Sequence, residues 1–186
     1  MRPSIAVDAR QTLLDRLPKQ AVGAEVGVWK GGFSRRILRF AKPAALHLID
    51  PWMLSQKPEH ATAWYGTENS PDMEAVCTDV RALFAAEISA GVVKIHRGFS
   101  GDVLKTFPEA FFDFVYLDGD HAYEAVKADL YAAYSRVKNG GLICGDDYSL
   151  AGWWKDGVVR GVHDFVASHR VRIELVLGNQ FMIRKI

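Results

Sequence analysis

Short apolar runs alternate with amphipathic stretches along almost the whole chain, and few folds accommodate that alternation. Runs of strand length fall at 21–28, 45–49, 92–96, 112–117 and 141–145. Between them apolar residues recur at helical spacing, as in Phe33, Ile37, Phe40 and Ala41, or Val126, Leu130, Tyr134 and Val137. The spacing predicts helices over 33–41, 73–90, 102–107, 121–138 and 157–169, and an N-terminal helix over 4–17, within a segment 1–18 that Pro18 closes. Gly140 stands where the long helix needs its C-terminal cap. Continuous apolar strands linked through helices give a mostly parallel sheet covered on both faces. Two last strands, 171–177 and 180–185, meet at Gly178-Asn179, a hairpin signal that adds antiparallel strands. The expectation is one α/β domain over 1–186, with no repeat or linker.

The chain has 186 residues, enough for one such domain with a sizeable core. Its 23 Lys and Arg against 22 Asp and Glu give a net charge of +1, with no footprint for nucleic acid or acidic membrane. The one basic cluster, Arg35, Arg36 and Arg39, lies in a helical pattern and reads as a solvated face. Cys77 and Cys144 are too few for a disulfide scaffold, and Cys144 reads as a small core residue. No segment has the length and hydrophobicity to span a bilayer, and none near Arg2 and Arg10 resembles a signal peptide, so the cytoplasm is the expected location. The stretch 51–72 has no period and mixes Trp, Tyr, Gly and Pro; at that length it is a lid-loop candidate.

Open α/β sheets bind ligands at the carboxyl ends of their strands. Two turns there suit a nucleoside. The first is Glu25-Val-Gly27-Val-Trp29-Lys-Gly31-Gly32-Phe33-Ser34, in which Gly27 and Gly31 let the backbone pass close to a ligand. The second is Asp50, whose carboxylate can accept both hydroxyl protons of a ribose. A dinucleotide would explain both, but the glycine spacing is not GxGxxG and Trp29 would crowd a pyrophosphate. Glu25, ahead of the first glycine, suits a ligand carrying positive charge.

These turns resemble those of the class I S-adenosylmethionine-dependent methyltransferases, a likeness that covers nearly all of the chain. It implies a Rossmann-like, doubly wound sheet of seven strands with the last antiparallel. It implies that Glu25, Gly27, Trp29, Gly31 and Ser34 form the cofactor loop and that Asp50 binds the ribose. Arg97-Gly98-Phe99-Ser100 matches the turn flanking the adenine, with Ser100 as the contact.

The most specific feature is Tyr116-Leu117-Asp118-Gly119-Asp120-His121 with Gly145-Asp146-Asp147-Tyr148. If the two acidic turns end adjacent parallel strands, Asp118, Asp146 and Asp147 converge. Their mutual repulsion is relieved by a hard divalent cation, which takes oxygen ligands and keeps water positions open for substrate. This pattern resembles the metal-dependent O-methyltransferases, closest to the branch that methylates sugars on antibiotics. The likeness implies Asp118, Asp146 and Asp147 as ligands of Mg²⁺ or Mn²⁺, with Asp118 also bordering the cofactor. The acceptor is then a small-molecule hydroxyl, on a sugar or polyphenol. His121 titrates near neutrality and suits the base; Asp120 is its rival. Trp52, Trp64, Tyr65, Trp153 and Trp154 fall in loops over this site, where rings stack on flat acceptor faces, although core packing or a dimer contact would use them as well. A homo-oligomer is compatible with this reading. Three alternatives stay open: a metal-independent methyltransferase, a nicotinamide-dependent oxidoreductase, and a non-catalytic module that binds S-adenosylmethionine.

Overall fold

A computed structural model describes residues 8–61, 63 and 70–186, apart from the side chain of Glu59. Trp64, Tyr65 and the first residues of the helix expected over 4–17 lie outside these. Seven strands form one sheet: β1 (Val22–Val26), β2 (Ala45–Asp50), β3 (Val93–Arg97), β4 (Phe112–Leu117), β5 (Val137–Gly145), β6 (Val171–Leu177) and β7 (Gln180–Lys185). Their spatial order is β3-β2-β1-β4-β5-β7-β6, with β7 the antiparallel strand between β5 and β6. The strand order reverses between β1 and β4, the crevice where a doubly wound sheet takes its ligand.

The register sets the site. Val26 pairs with Ile49 on one side and Leu117 on the other, and Leu117 pairs with Gly145. The turns after β1, β2, β4 and β5 therefore leave the sheet at one level. Gly27, Asp50, Asp118 and Asp146 follow those paired residues immediately, so the four turns share one edge.

Side chains alternate across the strands, so β2, β4, β5 and β7 each feed two cores. Phe114 and Tyr116 of β4 face one core, with α1 (Ala9–Arg16), α2 (Gly32–Phe40) and α3 (Met73–Leu83). Val115 and Leu117 face the other, with α5 (Ser100–Lys105), α6 (Tyr123–Arg136) and α7 (Gly157–Ser168). The short α4 (Ala85–Ser89) follows α3 directly.

Three local expectations change. The helix expected over 73–90 breaks at Phe84, which leaves the α region (φ −106°, ψ 20°) and buries its ring. The long helix starts at Tyr123, not His121, and ends at Arg136, because Val137 is already extended and begins β5. Gly140 is therefore no helix cap. Its φ of +79° falls where β5 bulges, since Phe112 pairs with Val137 and Phe114 with Leu142. Gly178-Asn179 does close the hairpin, with Gly178 at φ +55°. Cys77 and Cys144 are both buried and unpaired.

Candidate active site

The turn after β1 winds tightly, with left-handed φ at Gly27 (+84°), Trp29 (+53°) and Gly31 (+74°). A Cβ on Gly27 would lie 1.9 Å from the carbonyl oxygen of Asp118, and one on Gly31 would lie 2.7 Å from the Phe84 ring. Glycine is needed here because neighbouring protein presses on the loop, a different reason from the ligand clearance expected. Asp50 clasps the same loop. Its Oδ2 accepts the backbone N–H groups of Val28 and Trp29, both at 2.9 Å, and its Oδ1 accepts that of Trp52 at 2.7 Å. Of the roughly four lone-pair sites on a carboxylate, three are engaged, which leaves room for about one ribose hydroxyl. Burial raises Asp50 above the ordinary carboxylate range, against the pull of those three N–H groups.

Glu25 is 1% exposed, and its Oε2 has no hydrogen-bond partner. Ser34, in the first turn of α2, is buried beside it, and its hydroxyl pulls the Glu25 carboxyl down without offsetting burial. Burial pushes Glu25 up to about 8, and the charges of Asp118 and Asp50 push it the same way. An orphaned buried carboxyl is costly unless a donor meets it. The ammonium of S-adenosylmethionine is such a donor, so these residues fit that ligand.

At the other side of the crevice the acids sort themselves differently from the expected triad. Asp146 is buried, and both of its oxygens are engaged. Its Oδ1 accepts the N–H of Asp147 at 2.8 Å and the amide of Gln180; its Oδ2 accepts from Arg10 of α1. The same Arg10 Nη2 lies 3.6 Å from Asp118 Oδ2, and its guanidinium sits 5.3 Å above the Phe33 ring. Asp147, at φ +55°, turns instead toward His121, with Oδ2 3.2 Å from Nε2. Asp118, His121 and Asp147 each offer a ligand atom within 4.8 Å of the others'. Two carboxylates and an imidazole suit a divalent cation. The three side chains fit such an ion, with His121 in the place expected for Asp146. Burial pushes Asp118 up to about 8, with Asp146 adding to it. Burial holds His121 below its ordinary value despite Asp147, so the imidazole is neutral near pH 7.

Asp120 is locked. Its Oδ2 accepts from Lys57 Nζ at 2.6 Å, and its Oδ1 from the Ala122 N–H at 2.9 Å, with His60 Nε2 at 3.3 Å. Burial would raise it, but Lys57 and the Ala122 N–H outweigh burial and hold it below the ordinary range. It serves as an anchor for the 51–61 loop, whose His60 is buried against Trp153 at 4.5 Å. Trp154 lies tilted beside His121, the ring centres 4.9 Å apart. Trp52 is a core residue, 1% exposed, its indole N–H given to the Trp29 carbonyl.

Ser100 opens α5 and donates to Asp129 Oδ1 at 2.5 Å. Asp129 is buried in α6, and burial pushes it up to about 6. Sequence reasoning missed it, although an acid inside the Val126, Leu130, Ala133 stripe is a visible signal. It missed Arg10 as well, and there no local signal exists.

Known proteins resemble this chain in family and in fold. A family model described as a methyltransferase domain matches residues 24–148, from β1 through the acidic pair to Tyr148. No curated protein matches the chain. Among solved structures, a Corynebacterium glutamicum protein superposes with a TM-score of 0.67 at 17% identity, covering 95% of this chain and 78% of that one. A Streptococcus mutans chain, described as a methyltransferase and crystallised with S-adenosylhomocysteine, gives 0.60 at 14% identity over 96% of both chains. An O-methyltransferase family protein from Burkholderia thailandensis gives 0.56 at 14% identity, over 94% of this chain and 55% of that one. At these identities the structures speak for the fold. The family match covers well over half of the sequence, including the turns that carry Glu25, Asp50, Asp118 and Asp146, and the chain belongs to the methyltransferase-domain family, the S-adenosylmethionine-dependent class its sequence resembles.

Proposed function

We propose that this protein methylates a hydroxyl oxygen of a small molecule, a sugar or polyphenol, with His121 as the base. The observation that carries this reading is the His121–Asp147 pair at 3.2 Å, at the same sheet edge as the buried Glu25 carboxyl, whose Oε2 has no hydrogen-bond partner. S-adenosylmethionine, when bound, supplies an electrophilic methyl group. Glu25 meets the ligand's ammonium, and Asp50, already fixed by the loop, takes a ribose hydroxyl. His121 stays neutral through burial and can accept the acceptor's proton at Nε2, while Asp147 stabilises the imidazolium that results. Trp153 and Trp154 stand beside His121 and can seat a flat acceptor face.

The reading includes a divalent cation, Mg²⁺ or Mn²⁺, held through Asp118 and Asp147, which would lower the pKa of the acceptor hydroxyl. His121 then has two roles open to it, ligand or base, and Asp146 joins the ligands only once its Oδ2 is free of Arg10.

The test is methyl transfer from labelled S-adenosylmethionine over a panel of sugars and polyphenols, with and without Mg²⁺. His121→Ala should lower kcat at least about 100-fold with S-adenosylhomocysteine affinity near wild type. Full activity in that variant would remove His121 from the chemistry. Full activity after chelation would remove the cation and leave the methyltransferase. Methylation confined to amines would remove the hydroxyl acceptor.

A further inference from the structure

The acidic turns after β4 and β5 were expected to need a cation between them, and the fold provides one from within. Arg10 reaches over from α1 and places Nη2 against Asp146 Oδ2 and 3.6 Å from Asp118 Oδ2. A guanidinium cannot give up its charge to make room for another cation. Every other acceptor position used on Asp146 is committed to Gln180 and to the Asp147 N–H, so its Oδ2 is the oxygen a metal would require. We infer that Arg10 is a tethered counter-cation that competes with a divalent ion for Asp118 and Asp146, and that metal enters the full carboxylate set only as Arg10 withdraws. This rests on the reading of the site as a metal-assisted methyltransferase.

Two features make the contact displaceable. Among the described residues Arg10 donates hydrogen bonds through Nη2 alone, and the opposite edge of the fork, Nε and Nη1, bonds to nothing. Its side chain is 42% exposed, so a path to solvent is open. Phe33 supports the guanidinium face at 5.3 Å without fixing its in-plane position. Without Arg10, Asp118 and Asp146 would repel each other across the ends of neighbouring strands. With it, part of the negative charge of the metal-free site is neutralised. The price is metal affinity, because only the fraction of molecules with Arg10 withdrawn binds at full strength.

The experiment is calorimetric titration of Mn²⁺ into the full-length chain and into Arg10→Gln, each saturated with S-adenosylhomocysteine. Arg10→Gln should bind Mn²⁺ at least about tenfold tighter than wild type. Arg10→Lys, which keeps the charge, should fall between the two and carries the test if the Gln variant does not fold. In wild type, adding Mn²⁺ should free the Arg10 side chain, seen as a loss of its protected guanidinium signal in nitrogen NMR. Equal Mn²⁺ affinity in all three proteins, or none in any, overturns the inference. S-adenosylhomocysteine binding by the same samples reports separately on the methyltransferase reading.

Discussion

Glu25 shows how a single residue trades stability for binding. Its carboxyl is held at about 8 by burial, well above the ordinary value of 4.5. The folded, ligand-free protein therefore keeps a proton that the unfolded chain has already released. Its contribution to stability is present at low pH and is lost as pH rises from about 4.5 to 8. Glu25→Gln removes that cost and should raise the Tm of the free protein at pH 8. The same change should weaken S-adenosylhomocysteine binding by at least about tenfold, the loss expected when a charge-assisted hydrogen bond goes. In wild type the ligand's ammonium prefers the ionised carboxylate, so affinity should climb between pH 6 and 8. Calorimetry across that range checks it; a flat profile would place the ammonium elsewhere. Asp50→Ala is a less clean probe, because it strands the N–H groups of Val28, Trp29 and Trp52 along with any ribose hydroxyl.

At the scale of elements, the pairing of β2 with β3 brings two histidines together. His47 pairs with Lys94 and Ile49 with His96 in the parallel register, and His47 Nδ1 lies 3.0 Å from His96 Nε2. The two imidazoles stack on each other at 5.1 Å, and Phe107, Phe111 and Phe112 meet His47 edge to face. Burial lowers His47 to about 4, with His96 and Lys94 opposing its charge further; burial lowers His96 also, with Lys94 adding. The unfolded chain takes up protons first, near 6.5. Stability from this pair is therefore present above about 6.5 and is lost as pH falls toward 4. His47→Phe should flatten the acid limb of a Tm against pH curve over that window. An unchanged limb would mean that other groups govern acid unfolding. The pair lies along the strands, away from the acidic turns, so the substitution should leave ligand binding near wild type.

For the whole molecule, the sheet is shared by two cores that never touch each other. Phe114 lies in one, with Leu13, Leu46 and Phe84, while Phe165 lies in the other, with Leu130, Val162 and Ile143. Both phenylalanines are fully buried. The strands β2, β4, β5 and β7 contribute buried side chains to both cores, so neither core can melt while the sheet stands. Phe114→Ala and Phe165→Ala should each cost about 3–5 kcal/mol and shift one common unfolding transition. Two separate transitions in calorimetry, each sensitive to one variant, would show the faces to be independent. No helix among the described residues is long and apolar enough to cross a membrane.

The alternation of apolar and amphipathic runs determined the parallel sheet, because period and continuity of hydrophobic residues are properties of the chain itself. The hairpin at Gly178 and the acidic turns at Asp118 and Asp146 were legible for the same reason, since turn chemistry is local. What the tertiary structure alone decided is which groups meet. Whether Gly140 caps a helix or serves a bulge depends on β4 lying alongside. Whether Trp52 lines a site or fills the core depends on the Trp29 carbonyl waiting for its indole. Asp146 and Asp147 are neighbours in sequence, yet one turns to Arg10 and Gln180 and the other to His121, because the left-handed φ at Asp147 separates them. The charge on Arg10 lies 136 positions from the carboxylate it meets, and no periodicity or local propensity reports a contact over that distance. Electrostatic pairing is settled by proximity in space, which the packing of α1 on the sheet creates and the one-dimensional pattern does not contain.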